Sequence, residues 1–210
     1  YSLKYGDDMV ITEGNGPKLD AFRAYTNNDN WFYDAWFENG LHNLKHKVTN
    51  SKIYKKANGN IVLSFTVESQ APNAAKVLGR NLNHHSIEEL TANKFGEKDF
   101  KFVTNQVWTV YPDGSIELQS AITSNKPNLV LPRLGYVMQL PKQLSEFTYY
   151  GRGPIDNYPD RKTGQFIEEH QSTVKQQFEN FPKPQDMANH QDTRWCALTG
   201  NSGNGAVFIA

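Results

Sequence analysis

The amino-acid sequence predicts an all-β fold, a large antiparallel β-sandwich, and three features favour it. Short segments in which apolar and polar residues alternate recur along the chain, as in strands buried on one face. Residues typical of hairpin turns separate these segments, and long helices do not alternate with them. A length of 210 residues suits a single domain over residues 1–210 with a proper core.

Two antiparallel hairpins are predicted, over residues 47–67 and 102–123. Their turns are Asn58-Gly59-Asn60 and Pro112-Asp113-Gly114, since Asn, Asp and Gly tolerate a positive φ. Further strands are predicted at residues 131–140, 146–150, 164–174, 193–199 and 206–209. The last segment would leave an unpaired edge, so we expect the natural domain to continue beyond it.

Helical signals are weak. Asn30 is a candidate N-cap for a short amphipathic helix through Trp31, Ala35 and Phe37 that ends at Gly40. A second short helix is predicted at residues 86–93, where Ser86 is followed three residues later by Glu89, as in a capping box.

Composition limits the kinds of partner. Lys plus Arg and Asp plus Glu both total 22, so the formal net charge is zero, which argues against nucleic acid or a membrane surface held by bulk charge. Cys196 is the only cysteine, so neither an intrachain disulfide nor a CxxC pair can form, and its neighbours predict a buried strand. The compartment stays open between cytoplasm and periplasm. The chain begins at Tyr1 without Met or a leader, and we expect it to be cut from a longer protein.

The strongest motif is at residues 150–164, YGRGPIDNYPDRKTG. It resembles the signature YGRGPxENYPDRxxG in the C-terminal domain of β-galactosidases of glycoside hydrolase family two, with Asp156 in place of the usual Glu. Three further segments agree in order and approximate spacing. Residues 22–29 (FRAYTNND) are similar to WRAPTDND, although Phe22, Tyr25 and Asn27 depart from it. Residues 131–135 (LPRLG) are similar to the strand before the signature.

The last similar segment is at residues 184–195, where Pro184-Gln185-Asp186 and later Arg194-Trp195 resemble PQENGxxxxxRW. Asp186 replaces the usual Glu and Ala188 the usual Gly. The resemblance implies a galactose mutarotase-like supersandwich in a retaining enzyme that hydrolyses terminal β-D-galactosides. It places both catalytic glutamates in a preceding (β/α)₈ barrel, so it implies no catalytic residue and no cofactor here, and a divalent cation at that barrel. The implied partners are the other domains of the parent enzyme and a galactoside, with no nucleic acid and no membrane.

The long motif also has a physical interpretation of its own. Gly151, Gly153 and Pro154 allow a sharp departure from the strand that ends at Tyr150, and Pro159 fixes φ where the loop returns. Charged and polar side chains between them can form a cross-linked loop; they are Arg152, Asp156, Asn157, Asp160 and Arg161.

Two roles stay open for this polar loop. Its side chains brace one another or another domain, or some of them contact sugar directly; the candidates for sugar contact are Arg152, Asn157, Tyr158 and Arg161. Arg194 and Trp195 are added to the candidates, because strand neighbours face opposite sides and one of the two can reach the loop while the other is buried.

Glycoside hydrolysis with retention needs two carboxyl groups about 5 Å apart. Glu168 and Glu169 are strand neighbours that point to opposite faces, and Glu88 and Glu89 lie about 100° apart on the weak helix. Neither pair can flank one substrate. We therefore predict that the chain alone is inactive and has no catalytic residue.

Two other functions stay open. The aromatic content of 12% is compatible with a carbohydrate-binding sandwich. The implied mutarotase-like fold also allows an aldose epimerase, whose general acid is a histidine and whose general base is a glutamate; the candidate histidines are His84, His85, His170 and His190. No third ligand is suitably spaced from His84 and His85, so no metal site is expected.

Overall fold

A computed structural model describes residues 2–81, 84–183 and 185–210. Every strand pairing in these residues is antiparallel. The α-helix among them, α1 (Tyr33–Glu38), has only 6 residues. The predicted all-β class is therefore confirmed. Within the same residues, no helix combines the length and apolarity needed to cross a bilayer.

The described strands are numbered in chain order: β1 (Leu3–Tyr5), β2 (Asp8–Ile11), β3 (Lys18–Asp20), β4 (Lys45–Lys55), β5 (Ile61–Gln70), β6 (Asn73–Asn81), β7 (His84–Lys94), β8 (Phe102–Val110), β9 (Ile116–Ser124), β10 (Gly135–Val137), β11 (Glu146–Gly153), β12 (Phe166–Thr173), β13 (Trp195–Thr199) and β14 (Gly205–Ile209). Short 3₁₀ turns lie at Asn27–Trp31, Leu41–Asn43 and Val174–Gln177. The chain divides into two compact units. The central unit is Lys18–Val137, and the signature unit comprises the residues up to Pro17 together with Met138–Ala210.

The central unit contains both predicted hairpins. Its four-stranded sheet has the order β4-β5-β8-β9, while β6 pairs with β7 and β10 with β3. Gly59 and Gly114 have φ of +90° and +87°, which confirms that these turns need residues that tolerate a positive φ.

The core of the central unit is apolar. Tyr33, Trp36 and Phe37 lie at helical spacing on one face of α1 and are all buried. The Trp36 indole also donates a hydrogen bond to the carbonyl oxygen of Val130 at 2.9 Å. The remaining buried members of this core are Leu19, Ala21, Leu41, Ala75, Phe100 and Phe102.

Both helix predictions need correction. Residues 86–93 lie in strand β7, and the Ser86 hydroxyl donates to the carbonyl oxygen of Leu78 on β6 at 2.9 Å instead of capping a helix. Pairing with β6 therefore overrides the weak local signal. Near residue 30 a helix does form, but α1 begins at Tyr33, and Asn30 lies within the preceding 3₁₀ turn. The helical segment is followed by Gly40 at a φ of +70°, which is the predicted position of its end.

The signature unit contains a sheet of order β12-β11-β13-β14 and the separate hairpin β1-β2. Strands were predicted at all four positions of the sheet. Cys196 lies half-buried on β13, and burial raises the pKa of its thiol. Of the predicted strand at residues 131–140, only Gly135–Val137 pairs, because β3, its partner, is itself three residues long. The signature motif begins on β11, the strand between β12 and β13.

Candidate functional site

The glycines of the signature permit close packing of the strand itself. Strand β11 continues through Gly151 to Gly153, so the predicted departure after Tyr150 is wrong and the strand ends before Pro154. A Cβ on Gly151 would lie 2.7 Å from the Thr193 hydroxyl oxygen, and one on Gly153 would collide with the hydroxyl of Tyr149. These two positions therefore need glycine for lack of space, since no side chain fits there.

Asn157 is the centre of the loop beyond β11. It is 0% exposed. Its side-chain nitrogen donates to the carbonyl oxygens of Arg152 and Ile155 at 2.9 and 3.1 Å and lies 3.0 Å from the side-chain oxygen of Gln165. Its side-chain oxygen accepts from the backbone N–H of Gln191 at 2.7 Å. Both ends of this amide therefore hold the loop together.

The backbone of Asn157 extends this network. Its N–H donates to the carbonyl oxygen of Asn189 at 2.7 Å, and its carbonyl oxygen accepts from the Asn189 side chain at 2.6 Å. One residue thus joins the signature loop to the segment that contains Asn189 and Gln191. We call this set of contacts the Asn157 network.

An ion cluster lies beside the network. Arg152 donates from Nε to Asp192 at 2.5 Å and from Nη1 to the carbonyl oxygen of Gln165 at 2.7 Å. Lys162 also reaches Asp192, at 3.3 Å. The hydrogen bond from Arg152 lowers the pKa of Asp192, so this carboxyl stays charged at neutral pH. Asp192 itself has a φ of +55°, a conformation that Asp adopts more readily than most residues.

A second ion pair joins Arg161 to Asp156 at 2.8 Å. The Asp156 side chain is 5% exposed, whereas that of Arg161 is 53% exposed. The other carboxylate oxygen of Asp156, Oδ2, is buried and has no hydrogen-bond partner among the described residues. Tyr158 donates to Asp186 at 2.8 Å, and the guanidinium of Arg161 lies 5.6 Å from the centre of the Tyr158 ring. Both Asp residues that replace the usual Glu are thus paired with residues of the signature.

Arg194 and Trp195 lie at the start of β13. The Arg194 N–H donates to the carbonyl oxygen of Tyr150 at 2.8 Å, while its side chain is exposed. Trp195 is half-buried and pairs with Tyr150 on one side and Ile209 on the other. All six candidates for sugar contact therefore lie in the signature or next to its strand, and among them Arg161 and Arg194 have exposed side chains.

Aromatic rings lie against β11. The ring centre of Tyr149 is 5.0 Å from that of His170 and 4.3 Å from that of His190. Burial raises the pKa of Tyr149 to about 12 and lowers that of His190. Nδ1 of His190 lies 3.2 Å from the carbonyl oxygen of Arg152, and since a carbonyl only accepts, Nδ1 carries a proton. Nε2 of the same ring lies 2.6 Å from the side-chain amide of Gln177. His190 therefore joins Arg152 to Gln177 beneath the loop, and its burial favours the neutral ring.

Sequence analysis missed one histidine–carboxylate pair. Nε2 of His42 lies 2.7 Å from Glu89, whose other oxygen accepts from Asn73 at 2.7 Å. The hydrogen bond from His42 lowers the pKa of Glu89. The two partners are 47 positions apart, so no local spacing could have indicated the pair. Because His42 also packs on the Phe37 ring, 4.8 Å between centres, the pair braces the turn after α1 against β7.

The other chemical candidates are also located. Glu88 and Glu89 are neighbours on a strand, not on a helix, so they point to opposite faces, as do Glu168 and Glu169 on β12. The side chains of His84 and His85 lie outside the described part of the chain, and so does Pro184. Within the described part, no group of three or more His, Cys, Asp or Glu is arranged to hold a metal ion.

The segment at residues 22–29 forms a separate polar cluster in the central unit. Arg23 makes two hydrogen bonds to Asp29, at 2.6 and 3.0 Å, and its guanidinium lies 5.7 Å from the centre of the Trp36 ring. Burial acts to raise the pKa of Asp29, but the bonds from Arg23 and Thr26 prevail and lower it. The motif thus braces the chain that leads into α1.

The chain matches the family described as β-galactosidase small chain over residues 1–209, and it belongs to that family. A β-galactosidase of Halalkalibacterium halodurans is 29% identical over 213 residues, covering 97% of this chain and 18% of the relative. One of Streptococcus thermophilus is 26% identical over 214 residues, covering 100% and 18%.

A third relative, a β-galactosidase of Priestia megaterium, is 33% identical over 101 residues, which cover 48% of this chain and 10% of the relative. The chain therefore spans less than a fifth of the length of these curated relatives. It matches a small part of each of these larger β-galactosidases.

Proposed function

We propose that this chain is the C-terminal domain of a retaining β-galactosidase of glycoside hydrolase family two that hydrolyses terminal β-D-galactosides. In this proposal the chain supports and shapes a galactoside pocket and carries no catalytic carboxylate. Both catalytic groups, and the divalent cation implied for the parent, belong to a barrel domain that is a separate part of the parent enzyme. The domain's partners are then that barrel and the galactoside.

One observation carries the structural role. The polar groups of Asn157 are directed inward, onto Arg152, Ile155, Gln165 and Gln191, and the side chain is fully buried. A buried polar network of this kind fixes a single loop conformation, because each unpaired group would cost about 1–3 kcal/mol. The signature is thus suited to holding a rigid surface.

Direct sugar contact is the finer part of the proposal. Arg161 and Arg194 have exposed side chains, and Tyr158 is half-buried, so these three have surface to offer a ligand. Arg152 and Asn157 hold the loop from within. We propose that direct contact with the sugar comes from Arg161 or Arg194.

The test compares the chain alone with the complete enzyme on a nitrophenyl β-galactoside. We expect no turnover from the purified 210-residue chain and turnover when it is produced with the remainder of its enzyme. In the complete enzyme, Arg194→Ala should raise KM and leave kcat nearly unchanged if Arg194 contacts substrate. Lys52→Ala, on an exposed strand of the central unit, is the matched control. Robust turnover by the pure chain would refute the proposed division of labour.

A further inference from the structure

A large cleft lies within the signature unit, away from the residues of the signature loop. It has a volume of about 890 Å³ and is lined by residues from three segments: Tyr5 and 7–10, Pro141 and 143–145, and 200–202 with 204–205. These are the β1-β2 hairpin, the loop before β11 and the turn between β13 and β14. The volume lies within the range of small-molecule sites in proteins, roughly 300–1,000 Å³.

Hydrogen bonds hold the walls of the cleft in place. The Asn204 side chain donates to Asp8 at 3.2 Å and so joins the turn to the hairpin. Within the turn, the Gly200 N–H donates to the carbonyl oxygen of Asn204 at 2.9 Å, and Gly203 has a φ of +80°. The Leu144 N–H donates to the carbonyl oxygen of Pro141 at 3.0 Å. The turn and the loop are thus each shaped by their own backbone bonds, and a side-chain bond joins the hairpin to the turn.

The lining indicates the chemistry of a ligand. Tyr5, Met9 and Leu144 offer apolar surface, and the polar groups between them are carboxylates, amides and hydroxyls from Asp7, Asp8, Gln143, Ser145, Asn201, Ser202 and Asn204. The described lining contains no Lys, Arg or His. Its negative charge therefore disfavours phosphates, nucleic acids and other anions.

Saccharides match this combination. Their hydroxyl groups donate to carboxylate and amide oxygens, and their C–H faces pack on aromatic and other apolar side chains. A cleft open to solvent also admits more than one sugar ring. We propose that this cleft is a non-catalytic saccharide-binding site that takes a neutral β-galactoside of disaccharide length. The choice of a galactoside rests on the proposed function, whereas the saccharide class rests on the lining alone.

Titration calorimetry of the 210-residue chain with lactose at millimolar concentrations tests the site, with maltose as the comparison sugar. We expect saturable binding of lactose that Tyr5→Ala weakens about tenfold, which corresponds to about 1.4 kcal/mol. Tyr54→Ala is the matched control, because Tyr54 is 46% exposed and Tyr5 is 45% exposed. Asn201→Ala supplies a second variant, on the opposite wall and in an exposed turn, in case Tyr5→Ala perturbs the hairpin.

The outcomes separate the two proposals. Absence of saturable heat, or lactose binding that both Tyr5→Ala and Asn201→Ala leave unchanged, would overturn the saccharide site. Stronger binding of maltose than of lactose would overturn the galactoside assignment. Neither result bears on whether the complete enzyme hydrolyses a nitrophenyl galactoside, so failure of the cleft is distinguishable from failure of the proposed function.

Discussion

The two units are ordered by different kinds of interaction. In the central unit, α1 buries Tyr33, Trp36 and Phe37 in an apolar core. In the signature unit, Asn157 lies outside the sheet, is fully buried and is surrounded by hydrogen bonds. Apolar packing is non-directional and tolerates changes of shape at constant volume, whereas a buried amide needs each donor and acceptor in its own position.

This difference explains why the resemblance is strongest at the loop. Few side chains as short as that of Asn157 offer both a donor and an acceptor. At positions 151 and 153 only glycine fits, because a Cβ would collide with Thr193 or Tyr149. Many apolar residues, by contrast, would fill the core around Trp36. The substitutions Asp156 and Asp186 keep a carboxylate that pairs with Arg161 and Tyr158, respectively. Physical constraint, not length of the motif, makes the loop recognisable.

The largest effect is expected in the apolar core. Trp36→Ala should lower the free energy of unfolding of the central unit by about 4 kcal/mol, because it leaves a cavity and removes the bond to Val130. Trp31→Ala is the control, since Trp31 is 89% exposed and should change that free energy by less than about 0.5 kcal/mol. Amide hydrogen exchange followed by mass spectrometry reports each unit separately. Equal effects of the two variants would contradict the assigned core.

A slightly smaller effect is expected at the polar centre. Asn157→Ala should lower the free energy of unfolding of the signature unit by about 3 kcal/mol, since it leaves several buried groups unpaired. Asn105→Ala removes an exposed Asn that has one hydrogen bond, from Thr66, and should cost less than about 1 kcal/mol. Increased hydrogen exchange is expected at Gln191 and Arg152. If these amides were as protected in the variant as in the unsubstituted chain, the network would not be what orders the loop.

A contrast between local signals and contacts made by the fold also separates what the sequence could predict from what it could not. Alternating segments and Asn-Gly or Asp-Gly turns predicted the hairpins β4-β5 and β8-β9, because those signals are local. Residues 86–93 of β7 were predicted as a helix, because the spacing of Ser86 and Glu89 imitates a capping box, and the pairing of β7 with β6 overrides that weak signal. The polar residues of the signature predicted a cross-linked loop. The sequence did not predict that Asn189 and Gln191 are partners of Asn157. The His42–Glu89 pair and the cleft in the signature unit likewise require the fold to bring separate segments together.

Backbone strain in the polar loop provides a third and smaller test. Ala188 has a φ of +61°, which an L-residue with a Cβ adopts at a cost of roughly 1 kcal/mol. Ala188→Gly should therefore raise the free energy of unfolding of the signature unit by about 0.5–1 kcal/mol. Gly14→Ala is the reverse experiment. Gly14 has a φ of +80° and open space around it, so backbone strain alone should lower the free energy of unfolding of this variant. Changes of the same sign in the two variants would refute this account.

The smallest expected effect is the pH dependence that His190 gives the signature unit. Burial holds the pKa of His190 below its ordinary value of 6.5, so the unfolded chain binds more protons than the folded chain as the pH falls through 6.5. Stability from the neutral ring is therefore present above pH 6.5 and is lost as the pH falls towards the lowered pKa of the folded state. His190→Gln keeps an N–H donor for the carbonyl oxygen of Arg152 but cannot titrate in this range, so its stability should depend less on pH. NMR titration of the ring protons measures the pKa directly, and a value at or above 6.5 would mean that the ring is not buried as a neutral group beneath the loop.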